Sequence, residues 1–304
     1  MQRKENAVNN IIPRVAAIHD ISGLGRCSLT VLMPVLSTLG IQVCPVPTAV
    51  LSTQTGGFTD FFFHDTSDCI QGISKHWEDL GIAFDCIYSG FLGSAMQIDL
   101  VADFINCFGR KRETLIVVDP VMGDNGILYS TYTKELQNKM HCLVEMADII
   151  TPNPTEVSFL LGECYSDEPV NASEIKRRLR KLTDIGPNIA VITGIKTEDG
   201  SYANVGLNHD QGSFWRVSYR QYPKHYPGTG DIFTSVLTGS LLKGNDLPDA
   251  MEMATRFISL AIRITYGCGT PEREGVLIEK VLGYLQNDLL FNNYDNPDIS
   301  IGGM

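Results

Sequence analysis

Short apolar runs rich in β-branched residues alternate along this chain with longer stretches whose apolar positions recur every three or four residues. The short runs predict strands at Arg14–His19, Gln42–Ser52, Cys86–Ser89, Thr114–Asp119, Asp148–Thr151 and Asn188–Thr193. The periodic stretches predict helices at Cys27–Leu39, Ser67–Leu80, Met96–Phe108, Thr133–Met146 and Ser173–Thr183. In the last of these, Ile175, Leu179 and Leu182 share one face. Strands that read as continuous apolar runs, separated by helices, belong to βαβ units in a mostly parallel sheet covered on both faces. The rhythm changes at Ser201–Tyr222, where Tyr202–Val205 and Phe214–Val217 flank Asp210-Gln211-Gly212 as an antiparallel hairpin. Helices resume at Asp231–Lys243, Pro248–Thr265 and about Glu274–Asp288. No repeat or Pro/Ser-rich linker divides the chain. The pattern predicts one α/β domain over residues 13–288, a polar N-terminal tail at 1–12 and a flexible, Asn- and Gly-rich tail at 289–304.

Composition narrows the class. With 43% hydrophobic and 19% charged residues over 304 positions, the chain is expected to bury a sizeable core. Its 24 Lys and Arg against 35 Asp and Glu leave a formal charge of −11. That speaks against a nucleic-acid binder, which needs a basic face for phosphates. It leaves open an enzyme that holds a nucleotide through backbone N–H groups. No run reaches the roughly 18 apolar residues of a membrane span, and Met1–Asn10 lacks the apolar stretch of a secretory signal. The eight cysteines are scattered without a C-x-x-C pair, most of them in apolar segments. They are expected to be reduced core thiols of a cytoplasmic protein.

Several segments carry candidate chemistry. Tyr226-Pro227-Gly228-Thr229-Gly230-Asp231 runs straight into an apolar-periodic helix. Its glycines allow a tight turn, and the N–H groups that follow face outward at a helix N-terminus, an anion site. Asp231 there would stand beside a bound phosphoryl group and accept a proton from an attacking hydroxyl. The plainer alternative is a glycine turn with an acid favourably placed in the first helical turn. In Thr151-Pro152-Asn153-Pro154-Thr155-Glu156, Asn153 and Glu156 make a capping box around Pro154, and their oxygens also suit hydrated Mg²⁺ near nucleotide phosphates. Both roles are compatible. Asp119 closes the buried run Leu115–Val118, where open α/β sheets bind ligands, or is a turn-forming Asp before Pro120. Gly123–Tyr132 reads as a mobile flap or an ordinary loop, and Ser52–Gly57 as a polar strand end. His19-Asp20-Ile21-Ser22-Gly23-Leu24-Gly25 closes the first strand, with His19 a hydrogen-bonded strand-end residue or a ligand. A dinucleotide fingerprint is incomplete there: Ser28 stands for the third glycine, no Asp or Glu lies between Leu39 and Thr59, and no Walker A motif occurs.

Together these pieces carry a resemblance. Asp119-Pro120-Val121-Met122-Gly123, Asp148-Ile149-Ile150-Thr151-Pro152-Asn153 with Glu156, Val191-Ile192-Thr193 and Gly228-Thr229-Gly230-Asp231 follow the order and spacing of the ribokinase-like superfamily. From about Val15 to Ile264 the chain resembles the pyridoxal (vitamin B6) kinases of that superfamily. The resemblance implies a three-layer α/β/α sandwich around a mostly parallel sheet. It implies ATP-dependent phosphorylation of the 5′-hydroxymethyl group of pyridoxal, pyridoxine or pyridoxamine. It makes Asp231 the catalytic base and Gly228, Thr229 and Gly230 an anion hole. Asp119, Thr151, Glu156, Thr193 and Gly194 fall at ATP, with Asp119, Asn153 and Glu156 toward Mg²⁺ and a monovalent cation such as K⁺. Asp20, Thr55 and Phe91 fall at the vitamer, Asp231 meeting its hydroxyl. A cytoplasmic homodimer acting on small molecules, with no nucleic-acid or membrane partner, is the implied setting.

The departures are specific. Asp20 stands where many pyridoxal kinases have Ser, Phe91 where they usually have Tyr, and Gly194 where Ser or Lys is found. His19–Gly23 also resembles the opening of the hydroxymethylpyrimidine kinases of thiamine synthesis, which commonly carry Cys where this chain has Asp231. A non-catalytic vitamer-binding protein is a third reading. It has no need of a base and a metal site together, and Asp231, Glu156 and Asp119 are all present.

Overall fold

The apolar runs pair into one ten-stranded sheet in a computed structural model, which describes residues 12–109, 113–286 and 299–303. In chain order the first half comprises β1 (Arg14–Leu24), α1 (Ser28–Thr38), β2 (Gln42–Thr53), β3 (Phe63–Asp65), α2 (Ser67–Asp79), β4 (Cys86–Ser89), α3 (Ala95–Phe108), β5 (Leu115–Val118), β6 (Gly123–Asp124) and β7 (Ile127–Leu128). The second half comprises α4 (Lys134–Val144), β8 (Ile149–Ile150), α5 (Pro154–Leu161), α6 (Ala172–Thr183), β9 (Ile189–Lys196), β10 (Tyr202–Asn208), β11 (Ser213–Tyr219), α7 (Thr229–Leu242), α8 (Leu247–Cys268) and β12 (Ile299–Gly303). The sheet order is β12-β11-β10-β9-β8-β5-β4-β1-β2-β3. The six strands from β9 to β2 are parallel, and antiparallel strands extend both ends.

The two-residue alternation of the strands divides the core between the two faces of the sheet. Ala16, Ile18 and Ile87 face α2 to α6, where Phe104, Leu136 and Leu179 are buried. Val15, Ala17 and Tyr88 face α1, α7 and α8, where Leu32, Val236 and Phe257 are buried. Each buried Val, Leu, Ile or Phe there contributes roughly 1.5–3 kcal/mol by leaving water. The result is the expected three-layer α/β/α sandwich.

Four expectations change. β1 runs on to Leu24 rather than ending at His19, pairing with β2 through a register shift between His19 and Ile21. The helix expected at Glu274–Asp288 is instead three short 3-10 turns, Glu272–Glu274, Ile278–Lys280 and Leu282–Gln286. Gly275 adopts φ 74°, outside helical space, and Val276, Ile278, Val281 and Leu285 are buried on the α1/α7/α8 face. Of the tails, residues 1–11, 287–298 and 304 lie outside the described residues, but Ile299–Gly303 is a strand antiparallel to β11. The open edge of β11 provides the backbone partners that a short C-terminal segment needs to form a strand. Finally, Cys27 and Cys86 are buried and Cys44 and Cys107 half-buried, but Cys69, Cys142, Cys164 and Cys268 are exposed. These four lie on solvent-facing positions of α2 and α4, after α5 and at the end of α8, so apolar neighbours in sequence did not make them core thiols. No helix among the described residues is long and apolar enough to cross a membrane.

Candidate active site

Parallel strands put their carboxyl ends on one edge of the sheet, the usual ligand position in open α/β folds. A cavity of about 1040 Å³ opens at that edge. It is lined by Asp20, Thr55, Phe91, Asp119, Thr151, Asn153, Glu156, Thr193, Gly194 and all of Gly228–Asp231. Every residue singled out from the sequence for the site therefore reaches one space, although β1 and α7 are two hundred positions apart in the chain.

Asp231 is the third residue of α7, whose N-cap is Gly228 at φ 79°. That backbone conformation suits glycine, and a Cβ there would come within 2.0 Å of the Arg26 carbonyl oxygen. No side chain caps α7, so the N–H groups of its first turn remain available to an anion. Gly230 differs. An added Cβ would meet nothing closer than Asp119 Oδ2 at 3.9 Å.

Asp231 Oδ2 accepts a hydrogen bond from the Ser28 N–H at 2.8 Å. Burial lifts its carboxyl to about 7; the Ser28 bond opposes the shift and nearby Asp20 adds to it. His19 Nδ1 lies 3.9 Å from Asp231 Oδ1. Complete burial pushes that imidazole down to about 3, so the contact joins a neutral ring to the acid and is not an ion pair. Neither ring nitrogen of His19 has a hydrogen-bond partner among the described residues, and the ring packs edge-on against Tyr88 with centroids 4.4 Å apart. The strand-end hydrogen bond expected of His19 is absent there.

The Asn153–Glu156 segment forms the capping box. Asn153 Oδ1 accepts the N–H groups of Thr155 and Glu156 at 2.9 and 3.0 Å, and Glu156 Oε2 accepts the Asn153 N–H at 2.8 Å. Asn153 Nδ2 also donates to the Gly123 carbonyl at 2.9 Å, and Glu156 Oε1 accepts the Met122 N–H at 3.1 Å. The helix cap thus anchors the segment that follows β5. That segment is the β6–β7 hairpin, with Asn125-Gly126 at its turn, and Asp124 reaches His225 at 3.0 Å.

Asp119 is buried and its carboxyl raised well above the usual range, first by burial and then by Asp231. Glu156 is raised by burial and by Asp119. Thr151 accepts a hydrogen bond from the Thr234 hydroxyl at 2.9 Å beside them. Asp20, raised by burial, accepts from the Ser22 hydroxyl at 2.8 Å. None of these carboxyls has a Lys or Arg partner among the described residues. Hard oxygen donors left without a protein cation fit Mg²⁺ at Asp119 and Glu156. Among the described residues no three His, Cys, Asp or Glu groups converge to hold a metal alone.

In the cavity wall, Phe91 is buried with its ring 6.2 Å from that of Tyr132. Thr55 lies in a loop that Gln54 braces by donating from Nε2 to the Arg273 carbonyl at 3.0 Å. The Thr193 N–H donates to the Pro152 carbonyl and the Gly194 N–H to Asn204 Oδ1, both at 3.0 Å. Sequence reading missed Asn204, Tyr219, Thr255 and Arg273 in the cavity wall. They come from the hairpin, α8 and the C-terminal turns, where no local motif marks them.

The pattern that defines the phosphomethylpyrimidine kinases matches residues 33–275. This chain belongs to the phosphomethylpyrimidine kinase family. Its fold is that of the ribokinase-like superfamily. A Bacteroides thetaiotaomicron protein assigned as a phosphomethylpyrimidine kinase, in an orthorhombic crystal form with pyridoxal, is 44% identical and superposes with a TM-score of 0.89, covering 96% of this chain and 100% of its own. A pyridoxine/pyridoxal/pyridoxamine kinase from Bordetella avium is 30% identical over 253 residues, 79% of this chain and 81% of its own. A hydroxymethylpyrimidine/phosphomethylpyrimidine kinase from Staphylococcus aureus is 29% identical over 208 residues, 64% of this chain and 71% of its own. Membership in this family makes the chain a kinase, with relatives named for both ring systems.

Proposed function

We propose that the protein transfers the γ-phosphoryl group of ATP to the 5′-hydroxymethyl oxygen of pyridoxal, pyridoxine or pyridoxamine. Asp231 carries this reading: a buried carboxylate lifted to about 7 beside the uncapped N–H groups of α7, in one cavity with Phe91. Near neutral pH such a group is ionised in part and basic enough to take the hydroxyl proton as the oxygen attacks phosphorus. The N–H groups at Thr229, Gly230 and Asp231 face the charge that spreads over the transferring phosphoryl oxygens. Phe91, packed against Tyr132, supplies an apolar face for a flat ring, and Asp20 and Thr55 the polar contacts that orient it. Asp119 and Glu156 would hold Mg²⁺, which when bound neutralises triphosphate charge, while Asn153 fixes the cap and Gly123 around them. Pyridoxal in the crystal form of the 44%-identical Bacteroides protein supports a B6 ring at the acceptor end.

Asp20 also favours a second reading. Its buried carboxylate is a suitable acceptor for the exocyclic amine of hydroxymethylpyrimidine, and the Staphylococcus aureus relative bears that activity's name. Incubation with ATP and pyridoxal, followed by locating the phosphate on the product, tests the first. An ester on the 5′ oxygen that forms only with both substrates present is expected. ATP hydrolysis with no vitamer-dependent ester would overturn it.

A further inference from the structure

Position 194 lacks a side chain at a point where the cavity wall is otherwise firmly built. Gly194 adopts φ 70°, which L side chains rarely accept. Its N–H is held by Asn204 Oδ1 at 3.0 Å, Asn204 Nδ2 donates to the Thr255 hydroxyl at 2.9 Å, and that hydroxyl donates to the Met251 carbonyl at 2.7 Å. β9, β10 and α8 therefore fix this backbone and leave the space before it open. Tyr219, the last residue of β11, pairs with Tyr202, their ring centroids 6.3 Å apart. Its hydroxyl lies 3.8 Å from where a Cβ on Gly194 would stand, and both residues line the cavity. Burial raises this phenol, and no hydrogen bond to it forms among the described residues. The ring is half-buried and lines the cavity, so the hydroxyl is free to donate to a ligand oxygen there.

We propose that Tyr219 is a nucleotide-binding residue whose O–H donates to an oxygen of the ATP phosphate chain, filling the place that residue 194 leaves open. This rests on the kinase reading of the cavity. The phosphate chain is the partner because Thr193 is tied to Pro152 at 3.0 Å, which puts position 194 next to the Thr151–Glu156 segment. Ile258 and Ile262 of α8 line a different, apolar part of the wall suited to a base.

Titration calorimetry of the full chain with ATP and with adenosine, in wild type and Tyr219→Phe, tests the proposal. The substitution keeps the ring and its packing, and circular dichroism checks the fold. ATP should bind about tenfold or more weakly to the variant, with adenosine affinity unchanged. Unchanged ATP affinity in the folded variant overturns the proposal. An equal loss for adenosine places the contact on the nucleoside and overturns it too. Failure of the wild type to bind ATP would sink the kinase reading itself, whereas a wild type that binds beside an unaffected variant sinks only the role of Tyr219.

Discussion

Asp20, Asp119, Glu156 and Asp231 each hold a proton more tightly in the folded chain than in the unfolded one, because burial raises all four. Their contribution to stability is full below the unfolded carboxyl range and is lost as pH rises through the folded values. For Asp231 that window runs from 3.8 to about 7. A paired acid such as Glu163, which Arg177 holds down to about 2, behaves in the opposite sense. Asp231→Asn has no charge to bury. At pH 8 its thermal midpoint should exceed that of the wild type, and the advantage should disappear by about pH 4. A midpoint difference independent of pH would contradict burial of an ionising Asp231. The same variant should lose about 10²–10⁴-fold in kcat, and near-wild-type turnover would remove Asp231 as the base. The two glycines of the turn separate structure from chemistry. Gly228→Ala places a Cβ 2.0 Å from the Arg26 carbonyl and should unfold the turn, lowering the thermal midpoint. Gly230→Ala should fold normally and lose most turnover, because its Cβ enters the space beside Asp119 that the phosphoryl group needs. Full activity in folded Gly230→Ala would show that this space is not used.

At the scale of elements, the start of α5 carries a capping box and, under the proposed function, two of the oxygens that would face Mg²⁺. Asn153→Ala removes the cap and should cost about 1 kcal/mol in denaturant unfolding. Glu156→Gln keeps the shape but replaces a charged oxygen facing the Asn153 or Met122 N–H groups. It should raise the Mg²⁺ concentration for half-maximal rate as well as lower the thermal midpoint. A lowered midpoint with an unaltered Mg²⁺ curve would leave Glu156 as a cap alone. The capping box was legible because N-cap, N1 and N3 are local positions, and α1 to α4 were legible because their buried faces recur with the helical period. β3 was not, since Phe63–Asp65 is too short to show alternation and pairs with β2 only through tertiary contact. The strand Ile299–Gly303 was hidden for a related reason: five residues ending in two glycines become a strand only where β11 offers them an edge.

The whole molecule brings the strand ends together, which is why residues from Asp20 to Asp231 could be expected at one site before their distances were known. Motif-bearing turns at strand ends are local and readable. The walls contributed by Tyr219, Asn204, Thr255 and Arg273 depend on how β10, β11, α8 and the C-terminal turns pack, and no residue spacing encodes that. The burial that silences His19 and raises Asp231 is likewise a property of the assembled cavity. A B6 ring and hydroxymethylpyrimidine are both flat and both carry a hydroxymethyl arm, so shape alone separates the two acceptors poorly. Substrate choice is a ratio of kcat/KM values. Measured under one set of conditions with ATP and Mg²⁺, kcat/KM for pyridoxal should exceed that for hydroxymethylpyrimidine by about tenfold or more; hydroxymethylpyrimidine ahead by that margin would contradict the B6 assignment.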